Sequence, residues 1–360
     1  MLDQFFALRI EVLIGGEFVI NLSSRDLHVV YASDDKFAEI LGVSLVSLYE
    51  NNTGMDEIHI YVLDSGISDE NKKRLLSICD KYDRERIQFI SARDISKILS
   101  MNVNTDRGSL SQYARLFVSR DLPETLERVL YLDCDIIVND SLYELWNLDL
   151  KGKTIAALKD AFSKQYRKNI ELQPNDIMFN SGVMLIDMKK WKEKNIEKKL
   201  LSFIKRHKGA IQQGDQGALN AVLSKDTFCF HPRFNSVTIF YDFTYEEMLT
   251  YRKPVDFYSK KEVKQAAERP VIIHYTTSFT STRPWIEGSK HPYRDKWLFY
   301  KAKSPWADIP LWRSVRTSGL KGIYINLSKR LPRRVMIRVS SLLQVYGRPF
   351  MYSLKSSKTI

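Results

Sequence analysis

The stretch Arg128-Val129-Leu130-Tyr131-Leu132-Asp133-Cys134-Asp135-Ile136-Ile137-Val138 constrains the fold more than any other in the chain. It is an apolar, β-branched run of strand length that carries two carboxylates one residue apart. Side chains of an extended segment alternate, so residues i and i+2 face the same way. Asp133 and Asp135, in the strand or just past its end, therefore present oxygens to one side. Cys134 points to the other, buried side and reads as a small core residue, not a nucleophile. Two carboxylates that close repel, and one takes up a proton unless a cation lies between them. Carboxylate oxygens suit hard divalent ions such as Mg²⁺ or Mn²⁺. The alternative for so short a motif is a surface pair that caps the next helix.

The rest of the chain supplies a frame for that strand. Apolar runs of strand length fall at residues 27–32, 58–63, 87–91, 154–158, 178–188, 227–230 and 271–274. Helical patterns are expected at 37–48, from Ser68 onward, and at 110–122, 189–207 and 215–223, with a polar loop at 163–176. Such alternation argues for an α/β fold with a parallel sheet. Ligands of open sheets bind at the carboxyl ends of the strands, where Ser33-Asp34-Asp35 and Asp133-Cys134-Asp135 both fall. Neither G-x-G-x-x-G nor G-x-x-x-x-G-K-S/T occurs, so no glycine-rich cradle holds phosphates. A metal with basic side chains is the alternative.

Length and charge set the outline. At 360 residues, one large domain or one domain with an appendage is expected. Three widely spaced cysteines, Cys79, Cys134 and Cys229, make neither a metal pattern nor an even disulfide set, which fits a reducing cytosol. Residues 1–24 hold an apolar run broken by Arg9 and Glu11 with no basic leader, poor as a signal peptide and too interrupted for a membrane span. The last acidic residue is Asp308, and every charged residue after it, from Arg313 to Lys358, is basic, so most of the net charge of +12 sits in the tail. Apolar and aromatic residues interleave with those charges, and Pro332 divides the tail into two helical pieces. This pattern predicts attachment to an anionic membrane surface, against the alternative of a solvated basic tail. The body shows no matching basic face for nucleic acid.

Ala114-Arg115-Leu116, Phe179-Asn180-Ser181-Gly182-Val183, Asp215-Gln216-Gly217, Ile273-His274-Tyr275 and Arg283-Pro284-Trp285 accompany the paired aspartates in a fixed order. In that order and at those distances, residues 27–306 resemble the family 8 glycosyltransferases, which include bacterial lipopolysaccharide galactosyltransferases and glycogenin. The resemblance implies a GT-A-type, Rossmann-like nucleotide-sugar-binding domain over 27–306, flanked by an extension at 1–26 and the basic amphipathic tail at 307–360. It implies a retaining, metal-dependent hexosyltransferase that moves galactose or glucose from a UDP-sugar to a glycan or glycolipid acceptor. Asp133, Asp135 and His274 would be the ligands of Mn²⁺ or Mg²⁺. An imidazole ligand tilts the choice toward Mn²⁺, although a lone His ending an apolar strand is more often a satisfied core residue.

The same resemblance assigns further roles. Ala32, Asp34, Phe37, Arg115, Asp133, Cys134, Asn180 and Arg283 would bind the nucleotide sugar, with Asp34 accepting from uracil, Phe37 stacking on it and Arg283 reaching the diphosphate. Asp160, Asp215 and Gln216 would line the sugar and the reaction centre. Arg283 stands where the family usually has Lys, and the spacer before it is longer than usual and lacks its Gly. Gln216 is uncharged, so front-side substitution is expected in place of a covalent glycosyl enzyme. A cytoplasmic enzyme on the inner membrane face follows. The rivals are a metal-dependent nucleotidyltransferase and a non-catalytic protein that binds membranes or anionic polymers.

Overall fold

The computed structural model describes residues 25–104, 109–278, 280–314 and 331–357, so the readings made for 1–24 and for 315–330 lie outside the described residues. The strands in chain order are β1 (Asp26–Ser33), β2 (Glu57–Asp64), β3 (Gln88–Ser91), β4 (Arg128–Leu132), β5 (Ile136–Val138), β6 (Ile155–Lys159), β7 (Phe179–Asp187), β8 (Thr227–Cys229), β9 (Ser236–Val237) and β10 (Ile272–His274). Seven of them form the central sheet in the order β3-β2-β1-β4-β7-β6-β8, and β5-β10-β9 form a second, smaller sheet.

The central sheet is buried on both faces, as parallel strands joined by helices must be. Alternate residues of one strand feed two separate cores: Val29, Tyr31, Leu130 and Leu132 enter one, and Val30, Val129 and Tyr131 enter the other. The first core is closed by the helix Ala38–Asn51, whose glycine Gly42 lets the ring of Trp306 lie where a Cβ would be 2.3 Å from it. The second is closed by the helices Ile196–Arg206 and Gly214–Leu223.

The structure differs from the sequence reading along several elements. The sheet is not wholly parallel, because β7 runs against both β4 and β6. The helix expected at 110–122 is a 3₁₀ turn at Leu110–Phe117 followed by a short α-helix at Val118–Asp121. The helix expected at 189–207 is two, Met188–Glu193 and Ile196–Arg206, broken at Asn195, which adopts φ 52°. The loop at 163–176 holds a helical turn, Gln165–Lys168. Its buried Arg167 donates to the carbonyls of Phe162, Ser163 and Asp176, which satisfies groups that a loop otherwise leaves open.

The described part of the tail folds back on the domain. Pro332 caps the helix Arg333–Leu342, which runs through a π-helical turn at Leu343–Gly347 into Arg348–Ser357. Met336, Ile337 and Val345 are buried, and the Ser341 hydroxyl donates to the Thr250 carbonyl at 2.8 Å, on the helix Tyr245–Arg252. Val335, Val339, Leu342, Leu343 and Phe350 stay exposed. Among the described residues, no helix is long and apolar enough to cross a membrane.

Candidate active site

The run at residues 128–138 is not one strand. β4 belongs to the large sheet and β5 to the small one, and Asp133-Cys134-Asp135 is the bend between them. Both carboxylates therefore sit at the carboxyl end of a central strand, at the seam of two sheets. β10 pairs antiparallel with β5, which sets His274 opposite Ile136 and so beside Asp135. The amide of Asp133 donates to the Gly182 carbonyl at 2.7 Å, which brings β7 against the same point.

One ligand atom from each of Asp133, Asp135 and His274 lies within 4.8 Å of the others. His274 Nε2 is 3.3 Å from Asp135 Oδ1 and 3.8 Å from Asp133 Oδ2. The remaining oxygens are held by arginines: Asp133 Oδ1 by Arg115 at 2.8 Å and Asp135 Oδ2 by Arg283 at 2.8 Å. Each carboxylate thus has one oxygen paired and the other aimed at the imidazole. Asn235 Oδ1 is 2.9 Å from His274 Nδ1, and its own amide nitrogen donates to Asn180 Oδ1 at 2.9 Å. That arrangement makes Nδ1 the protonated nitrogen and leaves the Nε2 lone pair facing the aspartates, as a metal ligand requires. A Cβ on Gly182 would stand 2.3 Å from His274 Cε1 and 2.8 Å from Asp133 Oδ2, so a glycine there keeps the space clear. Two carboxylates and an oriented imidazole fit a divalent ion of the Mn²⁺ or Mg²⁺ class.

The predicted residues gather around this point. Ala32, Asp34, Phe37, Arg115, Asp133, Cys134, Asp135, Asp160, Asn180, Asp215 and Gln216 all line one cleft. Arg283 is buried behind it, on Asp135. At one end, Asp34 caps the turn Asp35–Phe37 by accepting from the Phe37 amide at 3.1 Å. Phe37 meets Trp312 edge to face with centroids 5.9 Å apart, and Lys36 lies over the same indole. Cys134 is buried and its thiol donates to the Ala32 carbonyl at 3.2 Å. Burial pushes that thiol up, and the flanking aspartates add to it, which leaves it inert.

Arg115 is the hub of the middle. Besides Asp133 it reaches Asp215 Oδ2 at 3.0 Å and donates to the Ser181 carbonyl at 2.8 Å, with its guanidinium 4.3 Å from the centroid of Tyr131. Burial works against its charge, but Asp133, Tyr131 and Asp215 outweigh that and raise its pKa. Gln216 Oε1 accepts from the Ser181 amide at 3.2 Å. Asp215 and Gln216 occupy the first turn of Gly214–Leu223, entered through Gln213 and Gly214 at positive φ. Asp160 lies 3.5 Å from the Asn180 amide nitrogen, and its carboxyl is raised above the usual aspartate range by burial, with Arg252 pulling the other way.

Sequence reasoning missed Asn235, the special need for Gly182, and a second wall of the cleft made by Arg252, Gln344 and Arg348. Nothing local marks them. Asn235 falls between a 3₁₀ turn and a two-residue strand, where no periodicity operates.

A sequence profile described as glycosyl transferase family 8 matches residues 28–288. General stress protein A of Bacillus subtilis (strain 168) is 32% identical over 287 residues, which is 79% of this chain and 96% of that protein. The lipopolysaccharide 1,2-glucosyltransferase of Escherichia coli (strain K12) is 26% identical over 85% of this chain and 87% of its own length. Among solved structures, the galactosyltransferase LgtC in complex with donor and acceptor sugar analogs superposes with a TM-score of 0.64 at 25% identity, covering 78% of this chain and 96% of that one. The GT-A fold is common to both. With the family profile matching residues 28–288, the chain belongs to glycosyl transferase family 8 and is a glycosyltransferase enzyme.

Proposed function

We propose that the chain is a retaining hexosyltransferase, metal-dependent, that moves galactose or glucose from a UDP-sugar to a glycan or glycolipid acceptor at a membrane surface. The observation that carries this is the convergence of Asp133, Asp135 and His274, each with its second polar atom already held by a neighbour.

Asp133, Asp135 and His274 would hold the ion, which when bound supplies positive charge beside the diphosphate of the leaving nucleotide. The chain's own residues do the rest. Asp34 and Phe37 bracket the base at one end of the cleft. Arg115, on the cleft wall, would share its N–H groups with diphosphate oxygens, which a guanidinium can do in a bidentate way, while Arg283, buried behind the cleft, would hold Asp135 in position. Asp160 and Asp215 accept from sugar hydroxyls and fix the ring. Gln216 is pinned by the Ser181 amide at 3.2 Å and presents a neutral side chain to the anomeric carbon. An amide is too weak a nucleophile for a covalent intermediate, so with retention taken from the family the acceptor hydroxyl would approach on the face the nucleotide leaves, giving up its proton to the departing phosphate.

The exposed apolar side of the C-terminal helices and the basic residues among them support attachment to an anionic leaflet. They support a peripheral enzyme on the inner membrane face. Mixing the protein with UDP-galactose and UDP-glucose in Mn²⁺ should release UDP from one of them, and Asp135→Asn should stop it. Proton NMR of the transferred product should show the donor's anomeric configuration. An inverted product would remove the front-side mechanism, and no turnover of any UDP-hexose at any metal would remove the reading itself.

A further inference from the structure

The cleft does not end at the sugar carboxylates. Past Asp160 it continues to Phe162, Arg252, Gln344 and Arg348. Gln344 lies in the π-helical turn Leu343–Gly347, and Arg348 is the residue that follows it. A π-turn inserts an extra residue into the helical repeat and re-aims the side chains around it, often at functional sites. Here the turn is pinned to the domain. The Tyr166 hydroxyl donates to the Gln344 carbonyl at 2.7 Å and accepts from the Gln344 side-chain amide at 2.8 Å. Asn169 Nδ2 donates to the Pro349 carbonyl at 2.8 Å. Gln344 Oε1 in turn accepts from Arg348 at 3.1 Å, which fixes the guanidinium on the cleft wall.

Charge is distributed unevenly along this cleft. Near the bend, Arg115 and Arg283 are each matched by carboxylates at 2.8–3.0 Å. At the far end, among the described residues, neither Arg252 nor Arg348 is in an ion pair, Asp160 is the carboxylate whose charge Arg252 feels, and the Nε of Arg252 is buried without a hydrogen-bond partner. A buried donor left unpaired is costly, and a guanidinium fork is matched best by a phosphate or carboxylate.

We infer that this end of the cleft receives an acceptor sugar bearing a phosphate or carboxylate, gripped between Arg252 of the domain and Arg348 of the C-terminal helix. The inference rests on the glycosyl-transfer reading above. It makes the C-terminal helix part of the acceptor site as well as a surface element. A neutral glycan could accept from the guanidinium N–H groups but would bring no negative charge to match the two arginines.

The test loads the full chain with Mn²⁺ and an unreactive 2-fluoro UDP-galactose, which occupies the donor subsite. Glucose 6-phosphate, glucuronate and glucose are then titrated by calorimetry. The phosphate or the carboxylate sugar should bind about tenfold tighter than glucose, the scale of one charge-assisted contact, and their ranking tells which anion the site reads. Arg348→Gln and Arg252→Gln should each remove most of that preference, and Arg348→Lys should keep part of it. Lys264→Gln, on the exposed face of Lys260–Glu268, is the charge-matched control and should leave the preference intact. Equal binding of the three sugars, or a preference that survives both arginine variants, overturns the inference while the transfer reading stands. Failure of both this analogue and its UDP-glucose counterpart to bind overturns both.

Discussion

Asn235 decides which nitrogen of His274 is free, and it does so as one member of an amide chain. His274, Asn235, Asn180 and Asp160 are linked in sequence by contacts of 2.9, 2.9 and 3.5 Å. The chain ties the imidazole of the candidate metal site to the buried carboxylate of Asp160. Asn235→Ala should therefore weaken Mn²⁺ binding about 10- to 100-fold, the usual loss when a partner behind a ligand is removed; an electron paramagnetic resonance titration measures this without turnover. Gly182→Ala should abolish the same binding, because its Cβ would overlap the ring of His274. Asp160 carries a pH signature. Its carboxyl is raised by burial, so on acidification it protonates at a higher pH than an exposed aspartate near 4, and in the proposed role it would then stop accepting from a sugar hydroxyl. The acid limb of kcat/KM for the donor should lie above that value and vanish in Asp160→Asn. Arg252→Gln removes a charge that favours the ionised form, and should move the limb further up. At this scale the sequence was informative wherever a residue lay in an ordered motif, as Asp133, Gln216 and His274 do. It was silent on Asn235, whose value comes only from what the small sheet sets beside it.

Among the elements, the strands were readable and their directions were not. Apolar runs at 27–32, 58–63 and 178–188 became β1, β2 and β7 to within a residue or two, because both faces of each are buried. Nothing in an apolar run states which way it points, so the reversal of β7 was invisible. That reversal brings Asn180, Ser181 and Gly182 to the bend of Asp133 through the Leu132 and Val183 register. Likewise the break at Asn195 hides inside a good helical pattern, since Asn tolerates the left-handed region. Two elements invite stability measurements. Gly42→Ala drives a methyl into the buried ring of Trp306 and should cost roughly 1–3 kcal/mol. Thr244 and Glu247 form a capping box at the start of Tyr245–Arg252, the helix that supports the C-terminal one, and Thr244→Ala should cost about 1 kcal/mol. Urea denaturation monitored by circular dichroism reads both.

For the molecule as a whole, charge and apolar exposure concentrate at one end of the chain. Leu342, Leu343, Phe350 and Met351 are all more than half exposed, so replacing Leu343 and Phe350 with Ser should not lower the melting temperature. It should reduce sedimentation with vesicles rich in anionic lipid, and unchanged sedimentation would dismiss membrane attachment through this side. Nearby basic residues add about 1 kcal/mol each at such a surface, so binding should also fall with added salt. Composition alone made the basic end visible. It could not reveal that residues 333–357 pack onto the domain, because that depends on where Tyr166 and Thr250 happen to lie.

One helix separates that outer side from the cleft, with Leu343 and Phe350 facing out and Gln344 and Arg348 facing in. A helix with its side chains is about 10 Å across. Under the proposed attachment, the leaflet would be held off from the cleft by that one helix, and the gap would work as a gauge. Acceptors whose reactive hydroxyl rides on a stalk of matching height would be reached, while those standing flush with the leaflet, or projecting far past it, would be passed over.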